Sequence, residues 1–194
     1  MEAVARTVGY DEFLRLEAER EERLEFHDGV VVAMAAPSVA HQRLCGRLFS
    51  LLESGLGPGE CRPIPGVKLR VEATNRTLVP DVVVVCGPLE TSPHDPGALT
   101  NPRLIIEVLS PSTEDYDLGK KFAQYRRLPT LAEYVTVAQD RRFVNVARRV
   151  GDLWRFDESD GPAIALESVE VSLDLDDVYV DVFGDITAGD RAPR

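Results

Sequence analysis

The sequence predicts a single α/β domain in which a mixed central sheet is flanked by helices. Residues 82–85 and 104–109 are apolar runs without the alternation of a half-exposed strand, so both read as central strands covered on two faces. Segments 10–18, 39–54 and 113–128 read as helices. A chain of 194 residues is long enough to bury a sizeable core, and its length favours one domain with modest additions.

From the N-terminus, residues 10–18 place apolar side chains at helical spacing, and 19–23 form a solvated charge cluster. Asp28-Gly29 between the runs 23–27 and 30–34 is a hairpin signal. Ser38 suits the N-cap of a helix over 39–54 that ends at Gly55, with Leu44, Leu48, Leu51 and Leu52 as its core stripe. Residues 63–72 read as one strand, with Val67, Leu69 and Val71 inward and Lys68, Arg70 and Glu72 on a wet face. A turn over 73–77 leads to the strand opened by Pro80-Asp81, where the missing N–H of proline suits a first position. Residues 87–102 hold Pro88, Pro93, Pro96 and Pro102 without periodicity and read as a surface loop, open to substrate or a partner.

After the 104–109 strand, Ser112 or Thr113 caps a helix that Pro129 stops near Leu128. Residues 133–138, 142–148 and 153–156 read as further strands, and Gly161-Pro162 as a turn. Residues 167–171 and a short helix over 175–182 close the fold, leaving 185–194 as a frayed tail. Trp154 reads as a core plug rather than a stacking platform.

The net charge of -11 argues against unspecific coating of nucleic acid, which needs a broad basic surface. The charge is uneven. Residues 101–150 carry nine Lys/Arg against six acids, and residues 151–194 three against twelve, so the segments net +3 and -9. Cys45, Cys61 and Cys86 are an odd number at spacings that match no metal motif, and read as reduced, buried thiols of a cytoplasmic protein. No secretory apolar region follows Met1-Glu2-Ala3, and the longest apolar run, 30–36, is far short of the roughly 20 residues of a membrane helix. A soluble protein with no membrane association is expected.

Chemistry enters where charge interrupts apolar sequence. Glu107 lies between Ile106 and Val108, and burying an ionised carboxylate without a partner costs several kcal/mol. It must face a cation or sit at the open end of its strand. If the Asp81 and Glu107 strands are neighbours, two carboxylates converge at one sheet edge, and the following helix offers Lys121 as a third member. Such a trio suits a hard divalent cation, with the ammonium aimed at an attacking water or a phosphate. Asp117, Lys121 and Tyr125 share one helical face at i, i+4, i+8; the plain alternative is an exposed ion pair with Tyr125 packed below. Lys120, Arg126 and Arg127 are either phosphate contacts or ordinary solvated residues. Glu25 is either an exposed strand residue or a site acid, and His41 either faces substrate or satisfies a neighbouring carbonyl.

At these residues the chain resembles the Uma family of "putative restriction endonucleases", a branch of the PD-(D/E)XK nuclease superfamily. The resemblance is carried by Pro80-Asp81, by the run from Ile106 and Glu107 through Ser110-Pro111-Ser112-Thr113, by Asp117, Lys121 and Tyr125, and by Glu133-Tyr134. Glu25-Phe26-His27-Asp28-Gly29 resembles the family's Glu-x-x-x-Gly entry, and His41-Gln42 its His-Gln pair. The superfamily pattern puts a lysine two residues after the second acid, where this chain has Leu109; the resemblance implies that Lys121 takes over that role.

The resemblance implies a restriction-endonuclease-like domain over 1–194, with a nuclease core at 10–150 and C-terminal strands and a short helix at 151–184. It implies a Mg2+-dependent DNA endonuclease, with Mn2+ as substitute metal. Asp81, Glu107 and the Val108 carbonyl would hold the ion, Glu25 and Lys121 would assist catalysis, and His41, Lys120, Tyr125 and Arg126 would meet the substrate. A homodimer is expected by analogy with enzymes that cut both strands. Two rivals stand beside this expectation. One is a nuclease fold that has lost its chemistry and serves in binding or regulation, favoured by Leu109 and the acidic total. The other is a metal-dependent hydrolase of small nucleotides.

Overall fold

A computed structural model describes residues 7–110 and 116–182. The expected helix cap at Ser112 or Thr113 and the expected tail at 185–194 lie outside the described residues. Helix α1 (Tyr10–Ala18) leads into the hairpin of β1 (Leu24–His27) and β2 (Val30–Ala33), turned by Asp28 and Gly29 at φ 50° and 95°. Asp-Gly supplies that left-handed pair at low steric cost. Helix α2 (Val39–Leu56) starts at Ser38, whose Oγ accepts the His41 N–H at 3.1 Å. It runs past the expected end at Gly55, where a Cβ would stand 2.8 Å from Cγ1 of Val171; the glycine permits a close approach rather than a stop.

The strand expected over 63–72 is two strands, β3 (Cys61–Pro65) and β4 (Lys68–Val71), in different sheets. Gly66 makes the break at φ 58°, and its N–H donates to the Asp81 carbonyl at 2.9 Å. There follow β5 (Arg76–Leu78), β6 (Val82–Cys86), β7 (Thr91–Ser92), β8 (Asp95–Leu99) and β9 (Leu104–Leu109). A π-helical turn over Tyr116–Lys121 continues into the short helix α3 (Phe122–Tyr125). The chain then forms β10 (Glu133–Ala138), β11 (Val144–Val150), β12 (Leu153–Ser159), β13 (Ala163–Leu166), β14 (Val171–Asp174) and α4 (Leu175–Val178).

The main sheet has the order β12-β11-β10-β9-β6-β3, with β9 and β10 parallel and the other pairs antiparallel. A second sheet, β2-β1-β5-β4-β8-β7, packs beside it, and β13 and β14 form a separate ribbon. On one face of the main sheet Val82, Val84, Ile106 and Val108 meet Leu44, Leu48 and Leu52 of α2. On the other, Val83, Val85 and Ile105 meet Leu69, Val71 and Leu78 of the second sheet together with Phe122 and Tyr125. Strands β9 and β10 are buried along their whole length, as runs without alternation require.

Three expectations are corrected. The 87–102 segment is not a plain surface loop: β8 pairs in parallel with β4, and Asp95 is buried against Lys68 at 2.9 Å. Pro96 and Gly97 hide so short a strand from any pattern. Arg70 is not on a wet face, because α1 lays the Tyr10 ring over its guanidinium at 4.0 Å and Asn75 Oδ1 accepts from Nη2 at 2.7 Å. Trp154, expected as a core plug, is only half-buried, edge-on to Phe122 at 5.0 Å and under Arg149 at 4.7 Å.

The reduced-thiol reading also fails for two of the cysteines. Cys61 and Cys86 face each other in the β3–β6 register and are joined by a disulfide, whereas Cys45 is a free thiol. A sequence separation of 25 gives no hint of that pairing, which only strand register creates. Closing a loop of this length removes about 3 kcal/mol of unfolded-state entropy. Urea unfolding of a Cys61→Ser variant is therefore expected to show a stability lower by about that amount, and addition of a reductant should lower wild type to match.

Candidate active site

The β6–β9 register pairs Val82 with Ile106, which sets Asp81 opposite Glu107 at the start of β6. The Val108 N–H donates to Asp81 Oδ2 at 2.7 Å, so the backbone of one strand holds the acid of the other. Glu107 is buried, and its Oε1 accepts from Lys121 Nζ at 3.2 Å and from Tyr125 OH at 3.0 Å. Lys121 also stands 3.5 Å from Glu25 Oε1 and 3.5 Å from Asp117 Oδ1. One ammonium thus serves three buried carboxylates. The π-helical turn brings Asp117 and Lys121 inward together, and Tyr134 OH braces it by donating to the Asp117 carbonyl at 2.9 Å. Such turns recur at functional sites because they re-aim side chains within a helix.

Glu25 is not an exposed strand residue. It is 4 % exposed, and it accepts from the Val79 N–H at 3.1 Å and bonds His27 Nε2 at 2.9 Å. His41, at the first turn of α2, places Nε2 3.3 Å from Asp81 Oδ2 and Nδ1 3.4 Å from Cys45 Sγ.

The electrostatics follow from burial and crowding. Burial pushes the Glu107 carboxyl up to about 8; Lys121 opposes this, but the charges of Asp81, Asp117 and Glu25 add to it. Burial disfavours the Lys121 ammonium, yet Glu107, Glu25 and Asp117 outweigh that and hold it above the ordinary lysine range. Burial would raise Glu25, but the His27 hydrogen bond, the Lys121 charge and the Val79 N–H hold it below the usual carboxylate range. His41 is raised, burial being outweighed by the hydrogen bond to Asp81 and its charge. Burial, reinforced by Asp81, pushes the Cys45 thiol up.

The structure therefore brings Glu25, His41, Asp81, Glu107, Val108, Lys121 and Tyr125 to one place. Tyr125 is corrected from substrate contact to support, because it is fully buried with its hydroxyl committed to Glu107. Lys120 and Arg126 are exposed on the same segment, and the site's ion pairs run to Lys121 instead. Glu133 belongs elsewhere: it is buried against Arg148 at 2.9 Å and accepts the Ser168 N–H at 2.8 Å. Sequence reasoning assigned no role at the site to Cys45 or His27. Their signals are spacing, i to i+4 from His41 on a helix and i to i+2 from Glu25 on a strand.

Comparison with known proteins identifies the family and the fold. A family model described as "Putative restriction endonuclease" matches residues 10–176, running past residue 150 into α4. Two proteins of Synechocystis sp. are related: "Uncharacterized protein slr1290" is 31% identical over 87% of this chain and 90% of its own length, and "Uncharacterized protein sll1609" is 32% identical over 73% and 80%. The crystal structure of a putative nuclease belonging to DUF820 from Anabaena variabilis superposes with a TM-score of 0.73 at 20% identity, covering 89% of this chain and 97% of that one, which shows a shared fold. No helix among the described residues is long and apolar enough to cross a membrane. By its sequence match over 10–176, this chain belongs to the Uma2 family of putative restriction endonucleases.

Proposed function

We propose that the protein is a Mg2+-dependent endonuclease that hydrolyses phosphodiester bonds of DNA, with Mn2+ able to replace Mg2+. The observation that carries this is a charge imbalance. Glu25, Glu107 and Asp117 meet around one buried ammonium, Lys121, and the charge of Asp81 acts on Glu107 beside them. Buried like charges are costly without compensation, and a divalent cation among them supplies it. The donors fit, since Asp81, Glu107 and the Val108 carbonyl are all hard oxygen ligands. When bound, Mg2+ would lower the pKa of a coordinated water and offset charge on the phosphate.

The chain's own residues do the remainder. Tyr125 holds Glu107, the Val108 N–H holds Asp81, and Glu25 helps hold Lys121 in place. Lys121 orients the attacking water and stabilises charge as the new P–O bond forms and the old one breaks in line. The exposed Lys120 and Arg126 contact backbone phosphates as the duplex docks. His41, whose side chain is partly exposed, steadies Asp81 toward the substrate. Two copies of the chain acting together would cut both strands.

Supercoiled plasmid incubated with the protein and Mg2+ is expected to be nicked, and Asp81→Asn should abolish nicking. Mg2+ should also raise the melting temperature of wild type and not of Asp81→Asn, since a ligand that binds only the folded state stabilises it. Nicking that persists in Asp81→Asn, or a melting temperature indifferent to Mg2+, overturns the proposal.

A further inference from the structure

The metal chemistry at Asp81 has a second side. One ligand atom from each of His41, Cys45 and Asp81 lies within 4.8 Å of the others. His41 Nδ1 to Cys45 Sγ is 3.4 Å, and His41 Nε2 to Asp81 Oδ2 is 3.3 Å. Donors on one tetrahedral ion, with bonds of about 2.0–2.3 Å, stand roughly 3.3–3.6 Å apart; the two short contacts use opposite nitrogens of one imidazole, so the His41 ring must turn between Cys45 and Asp81 to bring a single nitrogen within that range of both. His41 and Cys45 are one turn apart on α2, a helix capped at Ser38, which sets both side chains on one face toward Asp81. His41 and Asp81 have side chains 15% and 18% exposed, which leaves a route in from solvent.

We propose that His41, Cys45 and Asp81 form a Zn2+ site that adjoins the hard-metal site and competes with it for Asp81. A thiolate and an imidazole are poor ligands for Mg2+ and strong ones for Zn2+. On binding, a Zn–S bond forms at Cys45 and its thiol proton passes to solvent. His41 and Asp81 complete three protein ligands, and water takes the fourth position. With Asp81 drawn to Zn2+, the Asp81–Glu107 pair no longer presents two acids to Mg2+, so micromolar Zn2+ holds the enzyme off. The binding site stands independently, and only this inhibitory consequence rests on the proposed Mg2+-dependent function.

The test uses the full chain with its disulfide intact. Cys61 and Cys86 are then tied to each other, and Cys45 is the one free thiol of the three cysteines. Co2+ added in place of Zn2+ should give a near-ultraviolet thiolate-to-metal band, which Cys45→Ser abolishes. Competition against a chromophoric chelator should show one Zn2+ bound, with affinity at least about 10-fold weaker in Cys45→Ser and in His41→Ala, in line with the loss of a metal ligand. Absence of the Co2+ band, or Zn2+ affinity unchanged in both variants, overturns the site. Neither measurement needs nuclease activity, so failure of the function proposal leaves them intact. For the inhibitory arm, each protein's Mg2+-dependent nicking is normalised to its own zinc-free rate. The Zn2+ concentration that halves the rate should rise at least about 10-fold in Cys45→Ser, tracking its weaker binding. An equal value in both proteins overturns the inhibition.

Discussion

A Lys121→Met variant is expected to lose Mg2+-dependent nicking by about 10²–10³-fold, the scale on which removal of one preorganised charge-stabilising donor acts. Methionine keeps the length of the lysine stem and removes only the ammonium. Nζ stands within 3.5 Å of carboxylate oxygens of Glu107, Glu25 and Asp117, so its loss removes one positive charge from all three at once. The same change sets buried carboxylates against one another. Folding stability without metal should fall by about 3–5 kcal/mol, the cost of removing one partner from a buried ionic cluster, and Mg2+ should restore part of it. Thermal melts with and without Mg2+, beside a plasmid-nicking time course, check both parts. A variant that nicks at the wild-type rate would remove Lys121 from the mechanism.

Glu133→Ala is expected to destabilise the fold by about 3–5 kcal/mol while leaving the chemistry in place. The Glu133 carboxylate joins the start of β10 to the turn before β14, accepting from Arg148 Nε at 2.9 Å and from the backbone N–H groups of Glu167 and Ser168 at 3.1 and 2.8 Å. Removing it takes the buried acceptor from Arg148 Nε and from two backbone donors, while Asp157 and the Ala165 carbonyl still accept from the other guanidinium nitrogens. For a chain of this size that corresponds to a fall in melting temperature of roughly 6–20 °C. Nicking measured well below the melting temperature should match wild type, because Glu133 pairs in register with Leu104, whereas Glu107 pairs with Thr136 further along β10. A melting temperature within a degree or two of wild type would show that the buried pair contributes nothing net.

The Asp81–Glu107 pair was legible in the sequence because Glu107 interrupts an apolar run that leaves it no exposed face and Asp81 opens the neighbouring one. Both run-derived strands and the Asp-Gly hairpin were legible for the same local reason. Glu25 was not: its segment is short and charged, and only the pairing of β1 with β5 carries it under Lys121. Arg70 was misread because alternation reports the faces of one strand and says nothing of a helix laid over one of them. The 87–102 segment escaped because two prolines and a glycine interrupt β7 and β8.

Local sequence settled where the covered strands run, where α2 begins and which acids need a counter-charge, since side-chain periodicity and backbone preference act over a few residues. Folding in three dimensions decided that Lys121 faces three carboxylates, that Cys61 meets Cys86, and that Cys45 and His41 close on Asp81. Those meetings depend on strand register and on the packing of α2 across the main sheet. A one-residue slip in either would separate every group concerned, and no local pattern records it.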